Sequence, residues 1–469
     1  EFDRPLQPGF KSLKQHERDV AKIAGDIASR GPSEMVNMRR NFGESHCPRD
    51  VSYKRRSKQV DISPLNGILS VQQTPDGVWQ ALVEPRVTME HLVQSLLPYG
   101  LAPEVVPEFR RITVGGAIAG IAGESSSFEK GFFHDACDSY EVVLGDGTIV
   151  YATPTNEHAD LFEALPGTYG TLGIVTAAAV RLMRASPYVA MEYVPFRSLE
   201  EMTEYLDAAL NGEDVFEQTP VDFIEGIGFS VDRYVVAQGR FASEEDVKSG
   251  DLGPIQRYDK WYSPWFYRRS RRRLGKFDAI PTEDYLFRHD RGSFWMASYK
   301  MSHFVGRCLG FLLPSHRMYK MANAFPQVFD KSEILLQDFM IPIRKVPSFV
   351  QALDRNLGVW PLWFCPLRNM KVKGLIFGVP PSAGHFCNVG AYGIPLKENF
   401  DFENDNKLME MIMLEHGGRK VHYSHAYYPQ ELFYGTIYDG AYYADLRQRY
   451  RAEGIFPHVH EKVVTKDKL

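Results

Sequence analysis

Between Glu104 and Val175 the chain passes through Pro107-Glu108, Thr113-Val114-Gly115-Gly116, Gly123-Glu124-Ser125-Ser126-Ser127, the turn Asp146-Gly147, and Gly167-Thr168-Tyr169-Gly170-Thr171-Leu172-Gly173-Ile174-Val175. Glycines and small hydroxyl residues recur here between short apolar runs of β type. That pattern suits a backbone that must approach a phosphate-rich ligand closely and donate many N–H groups to it. Any one glycine pair is equally what a tight turn needs. The ligand reading rests on four such segments in succession.

Upstream, residues 16–30 carry the spacing of an amphipathic helix stopped by Gly31-Pro32. Leu69–Gln73 and Val78–Val83 flank Pro75-Asp76-Gly77, a hairpin signal. Thr88 is placed to cap a helix whose apolar positions are Met89, Leu92, Val93, Leu96 and Leu97, with Gly100 as its stop. A second hairpin is predicted for Tyr140–Leu144 and Thr148–Tyr151. After Ser186-Pro187 the texture changes. Val189–Pro195, Phe223–Phe229, Arg233–Arg240, Leu335–Pro342, Trp360–Pro366 and Phe386–Tyr392 read as strands of one antiparallel sheet, with helices at Leu199–Leu210 and Pro347–Asn356 on one face. The expected class is α+β.

With 469 residues, 44% apolar and 24% charged, the chain is long and apolar enough for two domains with substantial cores. A net charge of −5 gives no reason to expect a nucleic-acid partner. Five scattered cysteines argue against a disulfide framework. His458 and His460 are the tightest histidine pair and lack companions, so no metal site is expected. No apolar run approaches the roughly 18 residues that a membrane crossing needs. No G-x-S-x-G elbow supports hydrolase chemistry, and Gly115-Gly116-x-x-x-Gly120 lacks the spacing of a Rossmann fingerprint.

Taken in this order, the glycine segments resemble the flavin-binding half of the vanillyl-alcohol-oxidase/PCMH superfamily, and within it the Δ24-sterol reductase branch. Val83-Glu84-Pro85 leading to Met89, Trp261 to Phe266, Arg288-His289 with Phe294-Trp295, Pro361 to Pro366, and Gly390 to Pro395 look like further signatures of that branch. The resemblance implies a PCMH-type FAD-binding domain of two subdomains over residues 1–186, an antiparallel-sheet cap over 187–420, and a segment 421–469 returning to the flavin domain. It implies FAD bound without a covalent link, NADPH as a transient electron donor, and a small apolar substrate. It also implies an N-terminal hydrophobic anchor, which these residues do not contain. The expected location is cytoplasmic or peripheral at an intracellular membrane.

Carried onto this sequence, the cofactor residues are Gly43, Glu44, Ser45, His46, Pro107, Glu108, Thr113, Val114, Gly115, Gly116, Glu124, Ser125, Ser126, Ser127, Gly170, Gly173, Ile174 and Val175. His46 raises the alternative of a covalent flavin link, as some superfamily members use a histidine near that loop. In a reductase, hydride passes to a carbon–carbon double bond and a proton donor acts on the other carbon. Tyr423, His422, His425 and Tyr392 are the candidates for that donor. Each has a plainer reading as a buried side chain with a structural hydrogen bond. Trp360, Trp363, Phe364 and Phe386 are the candidate lining of a sterol cavity, or ordinary sheet core.

The departures lie on the substrate side. Gly417 to Tyr423 carries His422 where the sterol-reductase pattern is apolar, and partly resembles the G-G-R-x-H stretch of aldonolactone oxidases. An oxidase or dehydrogenase acting on an alcohol is therefore the alternative function, and a flavin-binding protein without turnover a third. Lys260 to Arg273 interleaves aromatics with arginines, as a peripheral membrane contact or a solvated basic face.

Overall fold

A computed structural model describes residues 10–39, 57–213, 220–260, 262–299, 314–324, 331–370, 377 and 384–465. Gly43, Glu44, Ser45, His46 and Trp261 lie outside the described residues.

Short strands β1 (Val36–Met38) and β2 (Lys58–Val60) pair in parallel. A six-stranded antiparallel sheet follows, built from β3 (Ile68–Gln73), β4 (Trp79–Val83), β5 (Leu101–Pro103), β6 (Cys137–Val143), β7 (Ile149–Ala152) and β8 (Ile174–Arg184). Its order is β3-β4-β8-β6-β7, with β5 also on β8. The long, almost wholly buried β8 is the central member. Thr88 caps the helix Met89–Leu96 by accepting from the His91 N–H, and Gly100 closes the following turn in the left-handed region.

Between Arg184 and Tyr188 the chain leaves this sheet for a second one. Its strands are β9 (Tyr188–Phe196), β10 (Phe223–Ser230), β11 (Arg233–Ala242), β12 (Phe277–Pro281), β13 (Leu335–Pro342), β14 (Leu362–Leu367), β15 (Phe386–Gly393) and β16 (Arg419–Lys420). They order as β12-β9-β11-β10-β14-β15-β13-β16, all antiparallel. Six of these were expected from the sequence; β12 and β16 are additions at the two edges. Helices Leu199–Leu210 and Val346–Asn356 cover one face, and Phe349 packs at a tilt against Phe339 of β13 with ring centroids 5.2 Å apart. Burial of Leu199, Met202, Leu206 and Leu210 on the first helix contributes about 2 kcal/mol per side chain.

The chain after β16 packs on the turn that precedes β8. Tyr438 donates to the Gly167 carbonyl at 2.7 Å, Tyr443 to the Thr171 hydroxyl at 2.8 Å, and Lys462 to the Tyr169 carbonyl at 2.8 Å. Among the described residues, no helix is long and apolar enough to cross a membrane.

Candidate active site

The face of the second sheet away from those two helices lies opposite the glycine-rich segment 107–123, and a cavity of about 520 Å³ separates them. Strand periodicity decides what faces it. Leu336, Asp338 and Met340 of β13 line it, as do Trp363, Cys365 and Leu367 of β14, and Asn388 and Tyr392 of β15. Residues of the opposite parity, such as Phe339 and Phe364, face the helices or their neighbours in the sheet instead. Beyond β16 the chain turns, and Val421 and Tyr423 also border the cavity. Pro107, Glu108, Thr113, Gly116 and Gly123 supply the facing wall, and Arg111, His316, Tyr319 and Lys320 also border the space.

One carboxyl group organises the polar end. Asp338 accepts from the hydroxyl of Tyr392 at 2.5 Å, the hydroxyl of Tyr423 at 2.7 Å and the amide of Asn388 at 2.5 Å. Burial raises Asp338 above the ordinary aspartate value against the pull of those three donors. It also raises both tyrosines well above theirs, and the neighbouring carboxyl adds to this. Their protons are thus committed to Asp338. Glu108 differs: burial pushes its carboxyl up to about 8, with Glu124 and Asp338 adding to the rise.

A narrower space of about 80 Å³ adjoins the cavity, and Arg86, Thr113, Gly116, Ala119 and Tyr169 border both. Its walls include Gly115, Gly170, Gly173 and Val175, with the cationic side chains of Arg39, Arg86 and Lys462. A Cβ on Gly115 would stand 2.8 Å from the Pro85 Cβ. Gly170 has φ +71, and a Cβ there would meet the Met38 methyl at 2.7 Å. A side chain at either position would therefore collide with the slot's own wall.

The structure distributes the sequence-derived site residues unevenly. Pro107, Glu108, Thr113, Gly115, Gly116, Gly170, Gly173, Val175, Trp363, Tyr392 and Tyr423 all border the two spaces. Val114 and Ile174 point into the core. The run Glu124 to Ser127 does not line the cavity. It fastens the first half of the chain to the second: Glu124 pairs with Arg288 at 2.8 Å, Ser125 meets the Tyr285 hydroxyl at 2.9 Å, and the Ile224 and Arg368 amides donate to Ser125 and Ser127 carbonyls.

His422 is turned the other way from Tyr423, into rings of Phe377, Tyr428, Phe433 and Tyr438. His425 packs on Phe402 and Tyr427, outside the cavity lining. Trp360 donates to Asp354 at 2.7 Å, Phe364 packs against Tyr234, and Phe386 is buried at the far end of β15. Sequence reasoning missed Asp338 and Asn388. The signal available was a carboxyl inside the apolar run Leu335 to Ile341. In the 260–273 stretch, Arg269 and Arg273 pair with the buried Asp278, while Arg271 and Arg272 are exposed.

Residues 37–153 match the FAD binding domain family. That span holds Arg39, Arg86, Glu108 and the segment Thr113 to Gly123, which is most of the slot and one wall of the cavity. Along nearly its full length the chain is also similar to curated proteins. It is 30% identical to the Delta(24)-sterol reductase of Arabidopsis thaliana, with 96% of this chain and 85% of the relative covered. It is 31% identical to that of Pisum sativum, over 96% and 84%, and 28% identical to that of Homo sapiens, over 96% and 86%. The coverage takes in the second sheet as well as the glycine-rich half. A likeness of this extent, carried by both walls of one cavity, shows that the chain belongs to the Δ24-sterol reductase family of FAD-binding oxidoreductases.

Proposed function

We propose that the protein reduces a carbon–carbon double bond of a sterol-like substrate, with noncovalent FAD as cofactor and NADPH as electron donor. The observation that carries this reading is the 520 Å³ cavity between the glycine wall and the Asp338 face of the sheet, continuous with a cation-lined slot. The residues fit the cofactor. Arg39, Arg86 and Lys462 would neutralise its pyrophosphate, and the absence of a side chain at Gly115 and Gly116 lets it approach the backbone. FAD, when bound, supplies the hydride-transfer chemistry. Leu336, Met340, Trp363, Leu367 and Phe294 give apolar walls that exclude water from a sterol-sized ligand. Asp338, Tyr392 and Tyr423 orient its polar surroundings.

On this reading residues 1–186 form the cofactor domain of two subdomains, 187–420 the cap, and 421–469 a return segment. A peripheral membrane contact near 260–273 would rest on Arg271 and Arg272, beside the exposed apolar side chains of Tyr262, Leu274 and Phe277. His422, one feature that favoured an alcohol oxidase, sits in an aromatic cage outside the cavity lining, which supports the reductase reading.

Anaerobic mixing of the FAD-loaded protein with NADPH tests the proposal. The visible flavin band is expected to bleach, and to return on addition of a Δ24 sterol without oxygen. A band that persists with NADPH would rule out NADPH as the donor, and one that stays bleached with sterol would rule out the substrate class.

A further inference from the structure

We infer that Glu108 carries the proton that the substrate alkene takes up; this rests on the reductase reading above. Among the described residues that line the cavity, Glu108 and Asp338 are the two carboxyl groups. Asp338 is engaged by three donors, whereas the Glu108 carboxyl is hydrogen-bonded to its own backbone N–H. Its electrostatic neighbours are Asp338, Tyr392, Tyr423 and Cys365 across the cavity, together with Glu124 and Arg288 outside the cavity lining. This places Glu108 at the polar end, opposite the tyrosines.

An isolated alkene is a weak base, so it needs a comparatively strong acid close by in a dry site. A tyrosine whose hydroxyl already donates to a carboxylate, and whose acidity burial has lowered further, is poorly suited. His316 also borders the cavity, but burial and the neighbouring Arg111 and Arg317 hold it below the ordinary histidine value and hence neutral near pH 7. Glu108 combines cavity access with a proton that it keeps near neutral pH, because burial and the two nearby carboxyl groups outweigh its own backbone N–H and Arg288.

The π bond of the alkene breaks; one carbon gains hydrogen with its electron pair from the nicotinamide reductant by way of the cofactor. The other carbon gains the Glu108 proton. Glu108 is left as a carboxylate and regains a proton from solvent, so each turnover consumes one NADPH and one proton.

Two measurements test the inference. Infrared difference spectra between the protein and Glu108→Gln, from about pH 6 to about pH 10, read the protonated carboxyl directly. A carboxylic C=O band is expected, absent in the variant and disappearing near pH 8. Its absence at pH 6 would overturn the assignment, because Glu108 would then already be a carboxylate. Stopped-flow reoxidation of the NADPH-bleached protein by a Δ24 sterol gives the second readout. Glu108→Gln is expected to slow it by about a hundredfold or more. Glu108→Asp, which keeps the acid, should recover part of that rate. A Glu108→Gln protein that holds FAD, bleaches, and reoxidises at the parental rate would sink the inference alone. If the parent protein is not reoxidised by sterol, the reductase reading fails, and the inference with it.

Discussion

Trp363 donates its indole N–H to the Glu225 carboxylate at 2.6 Å, tying a ring that borders the cavity to a buried charge network. Arg288 meets the same carboxylate at 2.6 Å and Glu124 at 2.8 Å, and His289 approaches it at 2.8 Å. Glu124, Glu225 and His289 lie close enough together to hold a metal ion. The Arg288 guanidinium already supplies the positive charge between the two carboxylates, so the cluster reads as an anchor. Burial alone would raise Glu225, yet Arg288 and His289 hold it well below the usual carboxylate range.

Glu225→Gln would leave Arg288 with one carboxylate and weaken the hold on Trp363. The expected loss is about 3 kcal/mol of unfolding free energy, as for other broken buried ion pairs. Denaturant unfolding would measure it, with a red shift of tryptophan emission in the native baseline. An unchanged midpoint would mean that the network does not hold the two halves of the chain together.

Asp338→Asn tests the polar end of the cavity. An amide can accept at its oxygen alone, so its nitrogen would confront one of the present donors. The tyrosines would lose their fixed orientation without any change in the cation-lined slot. Sterol turnover is expected to fall about tenfold or more through misplacement of substrate, with FAD content retained. Parallel loss of FAD would show that Asp338 acts on the cofactor side instead.

The glycine wall was legible from its composition, and at Gly170 from a local demand: a backbone at φ +71 disfavours a side chain wherever the rest of the chain goes, whereas Gly115 answers to Pro85, 30 positions away. The strands of the second sheet were legible from their length and apolar character. Their facing was harder to read. Every residue from Leu362 to Leu367 is buried, so alternation cannot say that Trp363 meets the cavity while Phe364 does not. His422 was grouped with Tyr423 as a neighbour in sequence, although the turn after β16 sends one to the cavity and the other into an aromatic cage. Arg288 reaches Glu124 across 164 positions, a separation that no periodic pattern encodes. Glu124 to Ser127 was therefore read as cofactor wall, where the structure uses it to join the two sheets.

Gly115→Ala addresses the slot. The added methyl would sit 2.8 Å from the Pro85 Cβ and 3.2 Å from its carbonyl oxygen, in a wall that has little freedom to move. FAD affinity is expected to weaken by at least about tenfold, near 1.4 kcal/mol, in a fluorescence-quenching titration of the apoprotein. Gly25→Ala is the control: that helix position has nothing within 4 Å of the added Cβ, and the change should add up to about 1 kcal/mol of stability. Equal FAD binding by both variants would detach the slot from the cofactor.

The last prediction concerns pH. His16, on the helix Leu13–Ala28, is buried between two carboxylates, with Nδ1 2.7 Å from Glu84 and Nε2 2.9 Å from Glu141. Burial alone would lower its pKa, but hydrogen bonds and charge from Glu141 and Glu84 override this and raise it from 6.5 to about 9. A raised folded-state value means that the imidazolium stabilises the fold fully below pH 6.5. That contribution is lost as pH rises through about 9. His16→Gln removes the imidazolium from between the carboxylates, leaving Glu84 with Lys11 and Glu141 without a cation, and should cost about 3 kcal/mol at pH 6. The gap in Tm between parent and variant is then expected to narrow steadily from about pH 7 to about pH 9.5. Taking the difference cancels the tyrosines, lysines and cysteines that titrate in the same range in both proteins. A gap that stays constant across this window would show that His16 is neutral in the fold, with its two carboxylates served by Lys11, the Gly67 amide, Tyr151 and Thr176.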